Sequence, residues 1–251
     1  HASTAGVAER VRARGGRAVA GLLMERELEF LGRVTGDPER PFVAILGGAK
    51  ISGKIDVIQA LLPKVDRLLI GGAMANTFFR ALGLEVGDSL VEEDRVELAR
   101  DTLGAARERL VLPVDCVVAD RIEEGAETRV VARDEVRPGD RIGDIGTASR
   151  EVFAGVLADA RTVVWNGPMG VFELAPFREG TVAVARAVAD ATDRGALTVV
   201  GGGDSAAAAE VAGVTDRLSH LSTGGGASLE FLEGKALPGV EALSDAPGGA
   251  A

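Results

Sequence analysis

The chain has 251 residues, is 46% apolar, and carries a formal charge of −10 with a pI near 4.9. That length and apolar content allow a sizeable core, suit one large α/β domain or two small ones, and argue against global disorder. The acidic balance argues against nucleic acid or an anionic membrane as main partner, but a few local lysines and helix N-termini could still hold an anionic metabolite. After a polar opening, Gly16 to Val34 places Leu22, Leu23, Leu28 and Leu31 near one helical face and stops at Gly36-Asp37-Pro38. A unit then recurs, in which a short apolar run leads to a glycine cluster and a helical segment. FVAIL leads to Gly47-Gly48 and a helix through Ile55–Leu62, and RLLI leads to Gly71-Gly72 and a helix around Met74–Leu82. A charged helix from about Glu92 to Arg109 precedes LVLPVDCVVA, which reads as one strand. Arg121 to Gly139 breaks the rhythm and reads as a hairpin-like excursion. TVVW leads to Asn166-Gly167-Pro168, with a helix only after Pro176. LTVV leads to Gly201-Gly202-Gly203 and a helix over Asp204–Ala212. LSHLS leads to Thr223-Gly224-Gly225-Gly226 and a helix through Leu232.

Near-continuous apolar strands alternating with helices indicate a mostly parallel sheet of about six strands covered on both faces, a doubly wound Rossmann-like α/β domain. In such a sheet ligands bind at the carboxyl ends of the strands, where most of these glycine clusters fall. Any one cluster is explained by a tight turn. Five at equivalent ends, beside Lys, Asp, Glu and Asn, point to an anionic ligand.

Ile45–Ile55 contains G-x-x-x-x-G-K from Gly48 to Lys54, but Ile55 stands where a Walker P-loop needs the hydroxyl that binds Mg²⁺. Lys50 and Lys54, spaced i, i+4 at an expected helix start, could grip phosphate together or be two solvated lysines. Asp204 suits a helix cap, or a carboxylate for a phosphate-bound Mg²⁺. Gly201-x-Gly203-x-x-Ala206 formally matches a dinucleotide fingerprint, which keeps an NAD-dependent oxidoreductase open, although a glycine run satisfies such patterns cheaply. Glu173, unlike Trp165 and Asn166, has no obvious local duty. His220 reads as a packed core residue and Cys116 as a small buried hydrophobe. One cysteine and two histidines cannot assemble a disulfide, a zinc site or a Ser-His-Asp triad. No apolar run reaches membrane-spanning length and no signal-peptide pattern opens the chain, which points to the cytoplasm.

AILGGAKISGKI (44–55), IGGAMANTF (70–78), VVWNGPMGVFE (163–173), VVGGGDS (199–205) and SHLSTGGGASLEFLEGKALPGV (219–240) together resemble phosphoglycerate kinase, in order and spacing, with similarity running from His1 to about Leu243. The resemblance implies reversible phosphoryl transfer between 1,3-bisphosphoglycerate and ADP, giving 3-phosphoglycerate and ATP with Mg²⁺, in a cytoplasmic and mostly monomeric glycolytic enzyme. It implies that Lys50 and Gly224, Gly225 and Gly226 meet the transferring phosphoryl, and that Lys54 meets the nucleotide phosphates. Asp204 would bind Mg²⁺, with Ser205, Gly202 and Gly203 at the adjacent phosphate. Glu173 would hold the ribose, and Gly71, Gly72, Gly146, Asn166 and Gly167 would line the pocket. Residues 1–15 resemble the end of a phosphoglycerate-binding N-terminal domain, with His1 its substrate-side remnant. Residues 16–36 resemble the connecting helix and 37–243 the nucleotide-binding domain, leaving 244–251 as a flexible tail. A start at His1 rather than Met reads as a processed, tagged or incomplete chain, expected to bind Mg-nucleotide but to show negligible turnover alone. A non-catalytic nucleotide-binding module is the other reading left open.

Overall fold

Phe42–Leu46 (β1) is apolar at every position because both faces of the strand are covered: Phe42, Ala44 and Leu46 enter one core, and Val43 and Ile45 the other. The computed structural model describes residues 1–244, so most of the expected tail lies outside the described residues. Strands β2 (Arg67–Ile70), β3 (Leu110–Val111), β7 (Thr162–Asn166), β8 (Leu197–Gly201) and β9 (His220–Ser222) complete a six-stranded sheet in the order β3-β2-β1-β7-β8-β9. Every pairing in it is parallel. The order runs outward in both directions from the β1/β7 junction, and this reversal opens a crevice beyond the carboxyl ends of those two strands. The expected doubly wound architecture is present.

One core packs α2 (Leu22–Thr35), α3 (Ile55–Leu61), α4 (Met74–Ala81), α5 (Val96–Ala106) and α9 (Gly226–Leu232) against the sheet. The other packs α6 (Thr147–Ala158), α7 (Glu179–Asp193) and α8 (Gly203–Val211) around Trp165 and Phe153. At the ends of the described chain, α1 (Val7–Ala13) and α10 (Pro238–Glu241) lie close together, and Arg12 donates to the carbonyls of Glu241 and Ala242.

Four expectations change. The helix expected from Gly16 begins at Leu22, because glycines at 15, 16 and 21 favour the preceding non-helical backbone and Gly15 takes φ +79°. Its buried face is Glu27, Leu31 and Val34, while Leu22 and Leu23 point outward. LVLPVDCVVA is two strands, since Pro113 lacks the N–H a continuous strand needs. Leu110–Val111 edges the parallel sheet, whereas β4 (Asp115–Ala119) centres a second, antiparallel sheet between β5 (Arg129–Ala132) and β6 (Arg141–Ile145). The hairpin-like excursion is therefore part of a three-stranded sheet.

His220 is buried as expected. Its ring stacks on Phe30 at 4.7 Å, and its Nε2 lies 3.0 Å from Glu27 Oε2. Glu27 Oε1 accepts the Thr223 N–H at 2.6 Å, tying α2 to the loop after β9. Burial pushes the Glu27 carboxyl upward, but His220, Thr223 and Ser222 outweigh it and hold it below the usual range.

Candidate nucleotide site

The crevice at the β1/β7 junction is built by close backbone contact. The Gly47 and Gly48 N–H groups donate to the Asn166 and Pro168 carbonyls at 3.0 and 2.9 Å, and the Gly72 N–H donates to Met169 O at 2.9 Å. A methyl group on Gly47 would sit 2.1 Å from Pro168 O, so only glycine lets the loops after β1 and β7 approach this closely. Lys54 reaches across the gap and its Nζ donates to Asn166 O at 2.8 Å and to Asn166 Oδ1 at 2.5 Å. Asn166 Nδ2 donates in turn to Gly201 O at 2.9 Å. One polar chain thus joins the tips of β1, β7 and β8.

Two cavities share this crevice. The first, about 360 Å³, brings together Lys50, Lys54, Asn166 and Gly167 with Gly202, Gly203, Asp204 and Ser205. The second, about 380 Å³, is walled by Gly72 and Met169 from the parallel sheet and by Ile142 and Ile145 from the antiparallel one, with Glu173 at its edge. Gly48, Ala49, Pro168 and Asp204 line both, so a cationic compartment opens into a largely apolar one.

Burial pushes the Lys54 ammonium down from 10.5 to about 8, with Asp204 pulling the other way. A partly desolvated cation beside the first turn of α8 suits phosphate. Gly202, at φ +91°, turns the chain into that helix. Asp204 does not cap it, since the helix begins at Gly203 with Gly202 at the cap position and no side-chain cap is made. Its carboxylate is exposed at the cavity. Ser205 is buried, and its Oγ accepts the Gly167 N–H at 2.6 Å.

Lys50 and Lys54 do not share a helical face, because α3 begins only at Ile55 and both lysines lie in the loop before it. Glu92 stabilises that loop by accepting the Ser52 N–H at 3.0 Å and the Ser52 hydroxyl, with Lys50 nearby. Gly71 packs against Met169 behind the cavity wall rather than on it. Gly146 precedes α6 against the Asp115 carboxylate, one residue beyond the Ile145 wall. Gly224, Gly225 and Gly226 follow β9, whose Ser222 pairs with Gly201, so they stand one strand from the cationic compartment without lining it. His1 is exposed in the N-terminal segment and bonds Ser3.

Sequence reasoning missed Asp144, a buried carboxylate in the second cavity's wall, and Asn76, whose buried Nδ2 donates to Leu90 O at 3.1 Å. The Asp144 signal was a carboxylate within an otherwise strand-like RIGDI.

The model of the family described as phosphoglycerate kinase matches residues 1–235. The chain belongs to the phosphoglycerate kinase family. It is 55% identical over 249 residues to the phosphoglycerate kinase of Chlorobium phaeobacteroides, covering 98% of this chain and 62% of that protein. The Chloroflexus aurantiacus phosphoglycerate kinase is 56% identical, with 98% of this chain and 61% of that one covered. The solved phosphoglycerate kinase of Coxiella burnetii superposes with a TM-score of 0.89 at 44% identity, over 97% of this chain and 62% of that one. The chain therefore spans about 62% of the length of the curated relatives it matches. No helix among the described residues is long and apolar enough to cross a membrane.

Proposed function

We propose that the crevice binds ADP or ATP with Mg²⁺ and that the chain supplies the nucleotide side of phosphoryl transfer between 1,3-bisphosphoglycerate and ADP. The observation that carries this reading is Lys54, whose ammonium lines the cationic compartment and bridges the β1/β7 gap to Asn166. The base and ribose occupy the larger cavity, with Glu173 toward the ribose. The phosphates lie between Lys54, Lys50 and the first turn of α8.

The residues fit a magnesium ion that arrives with the nucleotide. Among the described residues no group of three or more His, Cys, Asp or Glu side chains could hold a metal. Asp204 offers one exposed carboxylate, and Mg²⁺ commonly takes one or two carboxylates plus phosphate oxygens and water. When bound, the metal neutralises phosphate charge.

Phosphoryl transfer asks the protein mainly for positioning and electrostatic stabilisation. Lys54 orients the nucleotide phosphates, Ser205 offers its hydroxyl to them, and Lys50 extends toward the transferring group. Backbone N–H groups of Gly225 and Gly226 approach it from the neighbouring strand end, while the Gly224 N–H donates to Ser222 Oγ at 3.2 Å. Among the described residues His1 alone is assigned to the phosphoglycerate side, and the reaction is completed only when both substrates are enclosed. Titration calorimetry of the 251-residue chain tests the reading. MgADP is expected to bind and NADH not to, with negligible turnover in a coupled assay. NADH binding in place of MgADP would favour the oxidoreductase alternative, and normal turnover by the chain alone would overturn the assignment of only the nucleotide side.

A further inference from the structure

Asp144 ends β6 in the wall that the antiparallel sheet gives to the larger cavity. Its side chain is fully buried. One oxygen accepts the Ile145 N–H at 2.9 Å, and the other accepts the Gly180 N–H, in the first turn of α7, at 2.5 Å. Arg150 of α6 stands 3.7 Å away. Gly170, in the loop after β7, packs onto the same carboxylate so closely that a methyl group there would lie 2.5 Å from Oδ1. The following residue, Val171, donates its N–H to Gly143 O at 2.9 Å. From β6, one side chain therefore contacts two helices and the loop that carries Glu173.

A neutral side chain would fill this space at lower cost, since burying a carboxylate is expensive unless its hydrogen bonds demand it. Asparagine has one acceptor oxygen, whereas two N–H groups from different elements need one each. The charged or titratable groups facing Asp144 are Arg150 from α6, Glu179 from α7 and the Cys116 thiol from β4. The loop from Gly167 to Phe172 contributes none.

We propose that Asp144 is a positioning residue for the nucleotide site, whose ionised carboxylate clamps the antiparallel-sheet wall to α7 and to the Gly170–Glu173 loop and so holds the cavity in its binding shape. The inference rests on the nucleotide reading of that cavity. Burial pushes the carboxyl up to about 7, against the Gly180 and Ile145 N–H groups and Arg150. Protonation turns one acceptor into a donor and leaves one of the two N–H groups without its ionic partner. The clamp is closed above that pH and opens below it.

MgADP dissociation constants measured from pH 6 to pH 8 on the native chain and on Asp144→Asn test this. On going from pH 8 down to pH 6 the native chain is expected to lose about fivefold or more affinity relative to the variant. The ligand's own phosphate titration is common to both and cancels in the comparison. Arg150→Met removes the nearest cation and is expected to move the native midpoint to higher pH. It decides the matter alone should Asp144→Asn fail to fold, because an unmoved midpoint would then overturn the inference. Identical pH profiles in native and Asp144→Asn proteins would also overturn it, with the nucleotide reading left intact. Absence of MgADP binding by the native chain at pH 8 would overturn the nucleotide reading, and the inference with it.

Discussion

Lys54→Met separates what the ammonium costs the fold from what it gives the ligand. In the native chain its pKa falls from 10.5 to about 8, so holding the charge in place costs ~3 kcal/mol. Removing it relieves that cost but leaves Asn166 Oδ1 without a donor, a loss of about 1–3 kcal/mol for a buried acceptor. The Asn166 carbonyl keeps the Gly47 N–H at 3.0 Å. The two effects nearly cancel, so stability is expected within about 2 kcal/mol of native, a Tm change of roughly 4–8 °C at most. MgADP loses a desolvated charge contact worth about 2–5 kcal/mol, which is ~30-fold or more in Kd. Urea denaturation and titration calorimetry on the same preparations measure both. Unchanged affinity would refute the placement of Lys54 at the phosphates. A stability loss above about 4 kcal/mol would refute the claim that the buried charge is held at a cost.

MgADP affinity should fall as pH rises through about 8, where Lys54 loses its proton, and calorimetry across pH 7 to 10 reads this directly. Stability should move the other way. The folded pKa lies below 10.5, so the unfolded chain binds the extra proton between the two values, and native stability rises with pH across that window while Lys54→Met lacks the rise. Gly47→Ala puts a methyl 2.1 Å from Pro168 O and should cost about 1–3 kcal/mol in urea melts and weaken MgADP. Gly53→Ala, whose nearest atom is 4.0 Å away, should leave stability close to native. Burial pushes the Cys116 thiol up to about 12, so iodoacetamide should label the native chain slowly and the unfolded chain rapidly.

The parallel sheet was legible because its strands are buried on both faces and its turns are marked by glycine, two signals that lie within a few residues of each other. The antiparallel sheet was not. Its central strand follows β3 after only Leu112, Pro113 and Val114, so two strands of different sheets read as one apolar run. Eight expected residues line the cationic compartment: Lys50, Lys54, Asn166, Gly167, Gly202, Gly203, Asp204 and Ser205. The helical pairing of the lysines failed because spacing alone does not say where a helix begins. Asp144 shows in the sequence only as a carboxylate within strand-like RIGDI, and its partners, Gly180, Arg150 and Gly170, come from three segments that only the tertiary fold assembles.

The most direct test is a crystal structure of this chain grown with MgADP. The phosphates are expected between Lys54 and the first turn of α8, the metal against Asp204, and the base in the cavity bounded by Gly72, Ile145 and Met169. ADP seated away from the β1/β7 crevice, or phosphates without contact to Lys54, would contradict the placement of the nucleotide site.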